Sequence, residues 1–457
     1  MLRVFRHYVP TMLVAVVLSD IAIITAALLA PRSLGTWTGE GPLWPKTVVF
    51  AGIFVLVSYV ADLYRLERPI AARELAARVL LASAVGTIMT AAAGFAVPGL
   101  RFGRLAFVQA VGLVAVGLLL SRLGWRHLRP TQRLRPRVLV LGVGPAARTI
   151  VHLQSSGSQP FAVIGFLDDA PDAPEALPAG AELLGKSKDL LNLVDELQPD
   201  LVLVALADMR SALPTTDLLE CRLRGIRVED WPTFYERQTG KVMVTNLRPS
   251  WLIFSDGFVK TDFTQALKRA VDLILAAAGV VVTLPLMAVI AGAIKLDSRG
   301  AVFFRQERVG QHGRIFVLNK FRSMADEAER SSGPVWACER DGRVTRVGYW
   351  LRRTRLDELP QFFNVLVGDM SFIGPRPERP EFVRTLQRQI PFYMERHSVK
   401  PGITGWAQVR HQYAASVEDS LEKLQYDLYY IKNLSLLLDL LILLSTIQVV
   451  LFAKGSR

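Results

Sequence analysis

Asp357 and Glu358 stand side by side in the run Leu351-Arg352-Arg353-Thr354-Arg355-Leu356-Asp357-Glu358-Leu359-Pro360-Gln361, two acids behind a string of guanidinium groups. A helix over residues 349–359, closed by Pro360, would place Arg353 one turn before Asp357 and Thr354 one turn before Glu358. A guanidinium so placed favours the ionised aspartate and can also grip a phosphate through two hydrogen bonds. The aspartate is then a candidate nucleophile toward phosphorus, forming an acyl phosphate, and the acid beside it a candidate ligand for a divalent metal that neutralises a diphosphate. An isolated helix of this composition reads as a solvated surface face. Here further cations gather around it in sequence: Lys320 and Arg322 in Lys320-Phe321-Arg322, Arg376 in Gly374-Pro375-Arg376-Pro377, and Lys400 before Pro401-Gly402. Lys320, Arg322, Arg352, Arg353, Arg376 and Lys400 are therefore the candidate phosphate-binding residues. The two prolines around Arg376 suit a plain turn, and they also restrict the backbone and so pre-orient that side chain. His312, His397 and His411 lack metal-ligand spacing, and Cys221 and Cys338 are too few for a four-ligand site.

The elements that must position these residues follow from composition and pattern. At 457 residues the chain is long enough for about three domains. It is 51% hydrophobic with a net charge of +13, which excludes disordered, collagen-like and disulfide-rich classes. Its arginines cluster beside apolar runs, pointing to anionic lipid and phosphate as partners and away from nucleic acid.

Four apolar stretches, 9–30, 47–63, 75–97 and 105–120, lie near the roughly 20 residues needed to cross a bilayer. The first is a retained helix, since its apolar run is long and lacks a small-residue cleavage site. Arginines concentrate before the first span, between the second and third (Arg65, Arg68, Arg73, Arg78) and after the fourth (Arg122, Arg126, Arg129, Arg133), which places both ends of the bundle in the cytoplasm. Residues 1–125 are thus expected to form a four-helix transmembrane bundle.

Residues 137–235 read as a Rossmann-like α/β domain. A β-branched run from Arg137 meets Gly142-Val143-Gly144-Pro145-Ala146-Ala147 and then a helical pattern, so Gly142, Gly144 and Ala147 fall at G-x-G-x-x-A positions. A second strand ends at Asp168, where a ribose-binding acid would sit. Such a turn also serves to pack helix on sheet, and Pro145 removes one N–H from it. No Tyr-x-x-x-Lys pair follows, which disfavours nicotinamide chemistry.

After a linker, 236–265, comes a fifth apolar stretch, 270–294, with basic residues at both ends and Pro285 inside. A full crossing would carry the polar block after it away from cytosolic nucleotides. A helix that enters one leaflet, bends at Pro285 and returns satisfies the charge rule, while a plain transmembrane helix remains open because a proline is tolerated within a span. The apolar stretch 434–452 carries Asp439 and Thr446, which suit a helix at the interface or packed on the bundle.

From about Lys268 to the C-terminus these motifs resemble the bacterial sugar transferases, monotopic polyprenyl-phosphate phosphoglycosyl transferases. With its leading helices and α/β domain the chain looks like the large form that initiates exopolysaccharide or O-antigen synthesis. Arg248-Pro249-Ser250-Trp251 and Asp341-Gly342-Arg343-Val344-Thr345 add to the likeness, as does Tyr426-Asp427-Leu428-Tyr429-Tyr430. The resemblance implies a multidomain membrane protein whose residues 266–457 form an α-rich monotopic catalytic domain with a re-entrant helix. It implies transfer of sugar 1-phosphate from a UDP-sugar to undecaprenyl phosphate at the cytoplasmic face of the inner membrane. It further implies Asp357 as nucleophile, Mg²⁺ at Asp357 and Glu358, and Pro375, Arg376 and Pro377 against the nucleotide. Where the family commonly has Ser-Pro at the helix bend, this chain has Leu284-Pro285 with Thr283 one residue back. Bundles of this size often pair, so a homodimer is expected. A membrane-anchored nucleotide-sensing scaffold without catalysis is the alternative class.

Overall fold

The computed structural model describes residues 2–4, 7–9, 11–35, 42–64, 72–127, 135–156, 161–170, 177–206, 213–244, 257–258, 261–324, 343–411 and 416–451. Arg65, Arg68, Arg129, Arg133, the stretch 248–251, Cys338 and Asp341-Gly342 lie outside the described residues. The chain divides into two compact units that meet in sequence at Gly240 and Lys241.

The first unit opens with four apolar helices, α1 (Thr11–Ser33), α2 (Leu43–Val60), α3 (Ala72–Ala96) and α4 (Arg104–His127), each long and apolar enough to cross a membrane. α1 packs on α2 and α4, and α3 packs on the same two helices. Leu28, Phe50, Phe54, Val114 and Leu118 fill the space between them. Asp20, an acid inside the first apolar run, is accommodated because Arg122 closes on both its oxygens at 2.8 and 2.6 Å and donates its Nε to the Leu63 carbonyl. A buried charge is tolerated only when paired in this way.

A five-stranded parallel sheet follows. Its strands are β1 (Arg137–Leu141), β2 (Ala162–Leu167), β3 (Leu183–Gly185), β4 (Leu201–Val204) and β5 (Arg227–Asp230), in the spatial order β3-β2-β1-β4-β5. Helices α5 (Ala146–Ser156), α6 (Leu190–Leu197), α7 (Thr215–Leu223) and α8 (Trp231–Thr239) connect and flank it. This is the doubly wound order, with the apolar residues 138–141 of β1 and all of β4 buried at its centre.

The glycine turn after β1 is used internally. Gly142 has φ +110°, and a side chain there would come within 2.8 Å of the Ala205 and Leu206 backbone, so the chain leaving β4 lies directly over it. Ala147 is fully buried on α5. Asp168, placed for a ribose, instead accepts from the Val143 N–H at 2.6 Å and from the Ala170 N–H at 2.8 Å. Both of its oxygens are committed to backbone, and its charge stands where a phosphate would have to enter.

The second unit is organised around one long helix, α9 (Asp262–Asp297). Thr261 caps it by accepting from the Thr264 N–H. The expected bend at Pro285 takes the form of a proline inside an unbroken helix; Pro285 deprives the Val281 carbonyl of its partner, and Thr283 donates its hydroxyl to the Gly279 carbonyl at 2.7 Å. Both ends of α9 are tied to the same unit. Near the start, Arg269 donates to the carbonyls of Val365 and Leu366, and Asp272 accepts from the Phe372 N–H. At the far end Asp297 accepts from the Val347 N–H. Ile274, Val281, Val282, Leu284 and Val289 between them are exposed.

Around α9 lie the hairpin β6 (Phe303–Val309) and β7 (Ile315–Phe321), helices α10 (Arg346–Thr354) and α11 (Gln361–Val367), strand β8 (Ser371–Ile373), α12 (Pro380–Gln389), strand β9 (Gly402–Thr404), and helices α13 (Trp406–Arg410), α14 (Val417–Lys432) and α15 (Leu436–Leu451). The C-terminal apolar stretch packs on the core of this unit through one side, while Leu440, Ile447 and Val450 are exposed. Leu438 and Ile442 join its core, Asp439 accepts from Tyr430 and Lys268, and Thr446 bonds Thr404, so the polar positions are satisfied by neighbours.

Because Asp168 fills the glycine turn, ligands carrying an adenosine diphosphate should leave the thermal unfolding of the full-length protein unchanged at millimolar concentration. An upward shift in Tm that grows with ligand concentration contradicts this.

Candidate active site

The dyad is set by a helix that stops early. Thr345 caps α10 by accepting from the Gly348 N–H at 3.0 Å. At Gly348 an added Cβ would lie 2.0 Å from the Ser323 carbonyl oxygen, so only glycine lets α10 rest on the chain just past β7. The expected helix over 349–359 ends instead at Thr354. Arg355 turns left-handed (φ 57°, ψ 19°), and Leu356–Glu358 form a single 3₁₀ turn. Leu356 and Leu359 pack against Met287, Ile290 and Ile294 of α9 and Phe321 of β7. The acids are therefore presented from a turn seated on the long apolar helix.

The two carboxylates differ sharply. Glu358 Oε1 accepts from Lys320 Nζ at 3.2 Å and from Arg376 at 3.0 Å. Burial pushes its carboxyl up, but Lys320, Arg376 and Arg355 outweigh that and hold it well below the usual carboxylate range. Asp357, 9% exposed, makes no side-chain hydrogen bond or ion pair among the described residues. Burial raises its carboxyl above the ordinary value and Glu358 adds to the rise, opposed by Lys320, Arg376 and Arg352. One acid is clamped and anionic; the other is the more basic and is unengaged.

Arg376 is fixed from behind. Its segment follows β8, which pairs in parallel with β9. Gly374, Gly402 and Gly405 let the two backbones touch, since a Cβ on any of them would fall within 2.4 Å of facing backbone. Gly402 N–H donates to the Pro375 carbonyl at 2.9 Å. Arg396, buried, donates to the Arg376 carbonyl at 3.1 Å and to Asp427 at 2.8 and 3.0 Å. Pro375, Arg376 and Pro377 line a small cleft with Gly310, His397 and Val399. Burial and the Arg396 charge lower the His397 imidazole to about 4, so His397 is neutral at physiological pH.

The structure thus brings Lys320, Arg352 and Arg376 to the dyad. It does not bring the others. Arg353 lies exposed along α10, its guanidinium over the Trp350 ring at 5.8 Å, because the helix ends before Asp357 can share its face. Arg322 caps the chain leaving α9, donating to the carbonyls of Arg299 and Ser298 at 2.7 and 2.8 Å. Lys400 sits beside Arg269 near Gly368, and burial followed by the Arg269 charge lowers its ammonium. Arg355, Arg396 and Asp427 carry roles that spacing did not assign. Asp427 had a signal, an acid in the otherwise apolar and aromatic run Tyr426–Tyr430. Among the described residues no group of three or more His, Cys, Asp or Glu converges as a metal cage. A divalent ion with only one or two protein carboxylates would complete its shell with substrate oxygens.

Residues 263–453 match the family model described as bacterial sugar transferase, and residues 59–212 that of a CoA-binding domain. The chain is 33% identical over 465 residues to a UDP-glucose:undecaprenyl-phosphate glucose-1-phosphate transferase of Xanthomonas campestris pv. campestris, covering 95% of this chain and 92% of that protein. It is 46% identical over 240 residues to a UDP-N-acetylgalactosamine-undecaprenyl-phosphate N-acetylgalactosaminephosphotransferase of Aeromonas hydrophila, which takes in 52% of this chain and 56% of the relative's length. A putative undecaprenyl-phosphate N-acetylgalactosaminyl 1-phosphate transferase of Bacillus subtilis (strain 168) is 51% identical over 137 residues, 30% of this chain and 76% of its own. With a dyad turn, a pinned Pro-Arg-Pro segment and an end-to-end relative all in agreement, the chain belongs to the bacterial sugar transferase family.

Proposed function

We propose that the protein transfers a sugar 1-phosphate from a UDP-sugar to undecaprenyl phosphate, releasing UMP, through a phosphosugar carried on Asp357. The observation that carries this reading is the asymmetry of the dyad, a basic, unengaged carboxylate beside a clamped one inside a ring of cations. Asp357 attacks the sugar-linked phosphorus; a carboxylate–phosphorus bond forms, the bond to the bridging oxygen breaks, and UMP departs with that electron pair. An oxygen of undecaprenyl phosphate then attacks the same phosphorus and Asp357 leaves. Arg376 and its prolines, facing their cleft, suit the nucleotide side, while Lys320 and Arg352 offset the charge of the diphosphate. Asp357 and Glu358 would hold Mg²⁺, Asp357 through its unengaged oxygens. Bound there, the ion would supply further neutralisation of phosphate charge.

We read the four leading helices as membrane spans, with both ends of the bundle in the cytoplasm of a bacterial inner membrane. α9 is read as entering and leaving the same leaflet. The tethers at Arg269, Asp272 and Asp297 all run to one polar unit, and a crossing would pull one end away from it. A site resting on that helix meets a soluble nucleotide and a lipid phosphate together. Names of the relatives support the same substrates.

Purified protein given a UDP-sugar, Mg²⁺ and undecaprenyl phosphate should release UMP, and Asp357→Asn should lower the rate by at least about 10³-fold, as expected for loss of a nucleophile. Wild-type turnover by the variant contradicts the role of Asp357, and a scaffold releases no UMP at all. Attack requires ionised Asp357, so activity should fall as pH drops through a carboxylate pKa raised by burial. Lys320→Ala removes a cation that favours the anion and should move this acid limb of kcat/KM to higher pH. Glu358→Gln removes a neighbouring negative charge and should move it lower. Unshifted limbs in both variants contradict the assignment.

A further inference from the structure

We infer that Arg355 is a further phosphate-binding residue of this site, an inference that rests on the reaction proposed above. Its backbone sits at φ 57°, between the end of α10 and the dyad turn. Closing a helix in this way needs only a residue that tolerates the left-handed region, and glycine does so without strain. The position instead carries a guanidinium, and that group is one of three cations acting on Glu358.

The other two are spent. Lys320 and Arg376 both donate to Glu358 Oε1. Arg355 is half-buried and forms no side-chain hydrogen bond or ion pair among the described residues. Arg355 opens the dyad turn itself, its carbonyl accepting from the Glu358 N–H at 3.2 Å, so its side chain departs two residues from Asp357. With Lys320, Arg352 and Arg376 it makes four cations whose charge acts on two carboxylates. A guanidinium held beside an anionic site with its donors open matches the fork geometry of phosphate oxygens. The UDP-sugar and undecaprenyl phosphate both present that chemistry.

The test compares full-length wild type with Arg355→Gly, measuring UMP release, KM for each substrate and thermal unfolding. Glycine keeps the turn, so Tm should hold or rise, while kcat/KM falls about 10- to 100-fold, the loss of one charge-assisted contact. Added guanidinium ion should restore part of the rate. A rise in KM confined to the UDP-sugar assigns the contact to the donor diphosphate; one confined to undecaprenyl phosphate assigns it to the acceptor. Wild-type kinetics in Arg355→Gly overturn the inference, as does a loss that accompanies a lowered Tm and does not respond to guanidinium. Inorganic pyrophosphate supplies a readout independent of turnover. It should raise the Tm of wild type more than that of Arg355→Gly, and equal shifts overturn the inference. Wild type that releases no UMP refutes the proposed reaction instead, leaving the pyrophosphate comparison to decide on Arg355.

Discussion

Two cations from distant parts of the chain meet on one oxygen of Glu358, and the rest of the site depends on that clamp. Lys320 comes from the second strand of the hairpin, Arg376 from the turn after β8, and Glu358 from the short turn between α10 and α11. Breaking a buried ion pair costs about 3–5 kcal/mol when the survivor is left charged and unpaired; here loss of Glu358 strands two cations, whereas loss of either cation leaves Glu358 the other. The clamp therefore fixes where three segments stop relative to one another. It also sets the chemistry next door. With Glu358 absorbing the direct contacts of Lys320 and Arg376, Asp357 is left without a side-chain partner among the described residues and with its basicity raised by burial, the condition that suits a carboxylate to attack phosphorus.

The clamp is held from two sides. Beneath the dyad, Leu356 and Leu359 enter the apolar cluster of Met287, Ile290 and Ile294, so the turn rests on α9. Behind Arg376, the buried Arg396–Asp427 pair holds its carbonyl, and close glycine contacts leave the backbone little room to shift. Rigid support of this kind places charge before substrate arrives and spares reorganisation during the reaction. The supporting helix is apolar over its exposed length, so under the proposed membrane reading the same packing that orders the dyad would also bring it to the level of lipid.

Much of this was legible in the sequence. Long apolar runs gave the four leading helices, and alternating strands and helices gave the doubly wound sheet. The cation-rich acidic pair and the bracketed arginine, marked in the sequence, are brought together by the ion pair of Glu358 with Arg376. What escaped had physical causes. Arg355 is a good helix former, and no glycine or asparagine marks the end of α10, so the pattern ran on to Pro360; the real stop is imposed by the seating of Leu356 and Leu359. That early stop is what sends Arg353 to solvent. Arg322 looked like a second phosphate ligand two residues after Lys320, on the same face of a continued strand, yet β7 ends at Phe321 and Arg322 turns to cap the chain leaving α9. The three-residue edge strand β3 was too short to show a period. Asp168 stood at a ribose-binding position, but whether an acid meets a ligand or its own backbone is decided by a contact 25 residues away.

The central claim is that phosphate chemistry passes through Asp357 itself. Isotope exchange tests it most directly: purified protein is incubated with a UDP-sugar and labelled UMP in the absence of any polyprenyl phosphate. A covalent intermediate predicts that label enters the UDP-sugar pool with wild type and stays out of it with Asp357→Asn. Exchange that appears only when undecaprenyl phosphate is added, or that survives in the variant at the wild-type rate, would contradict the account.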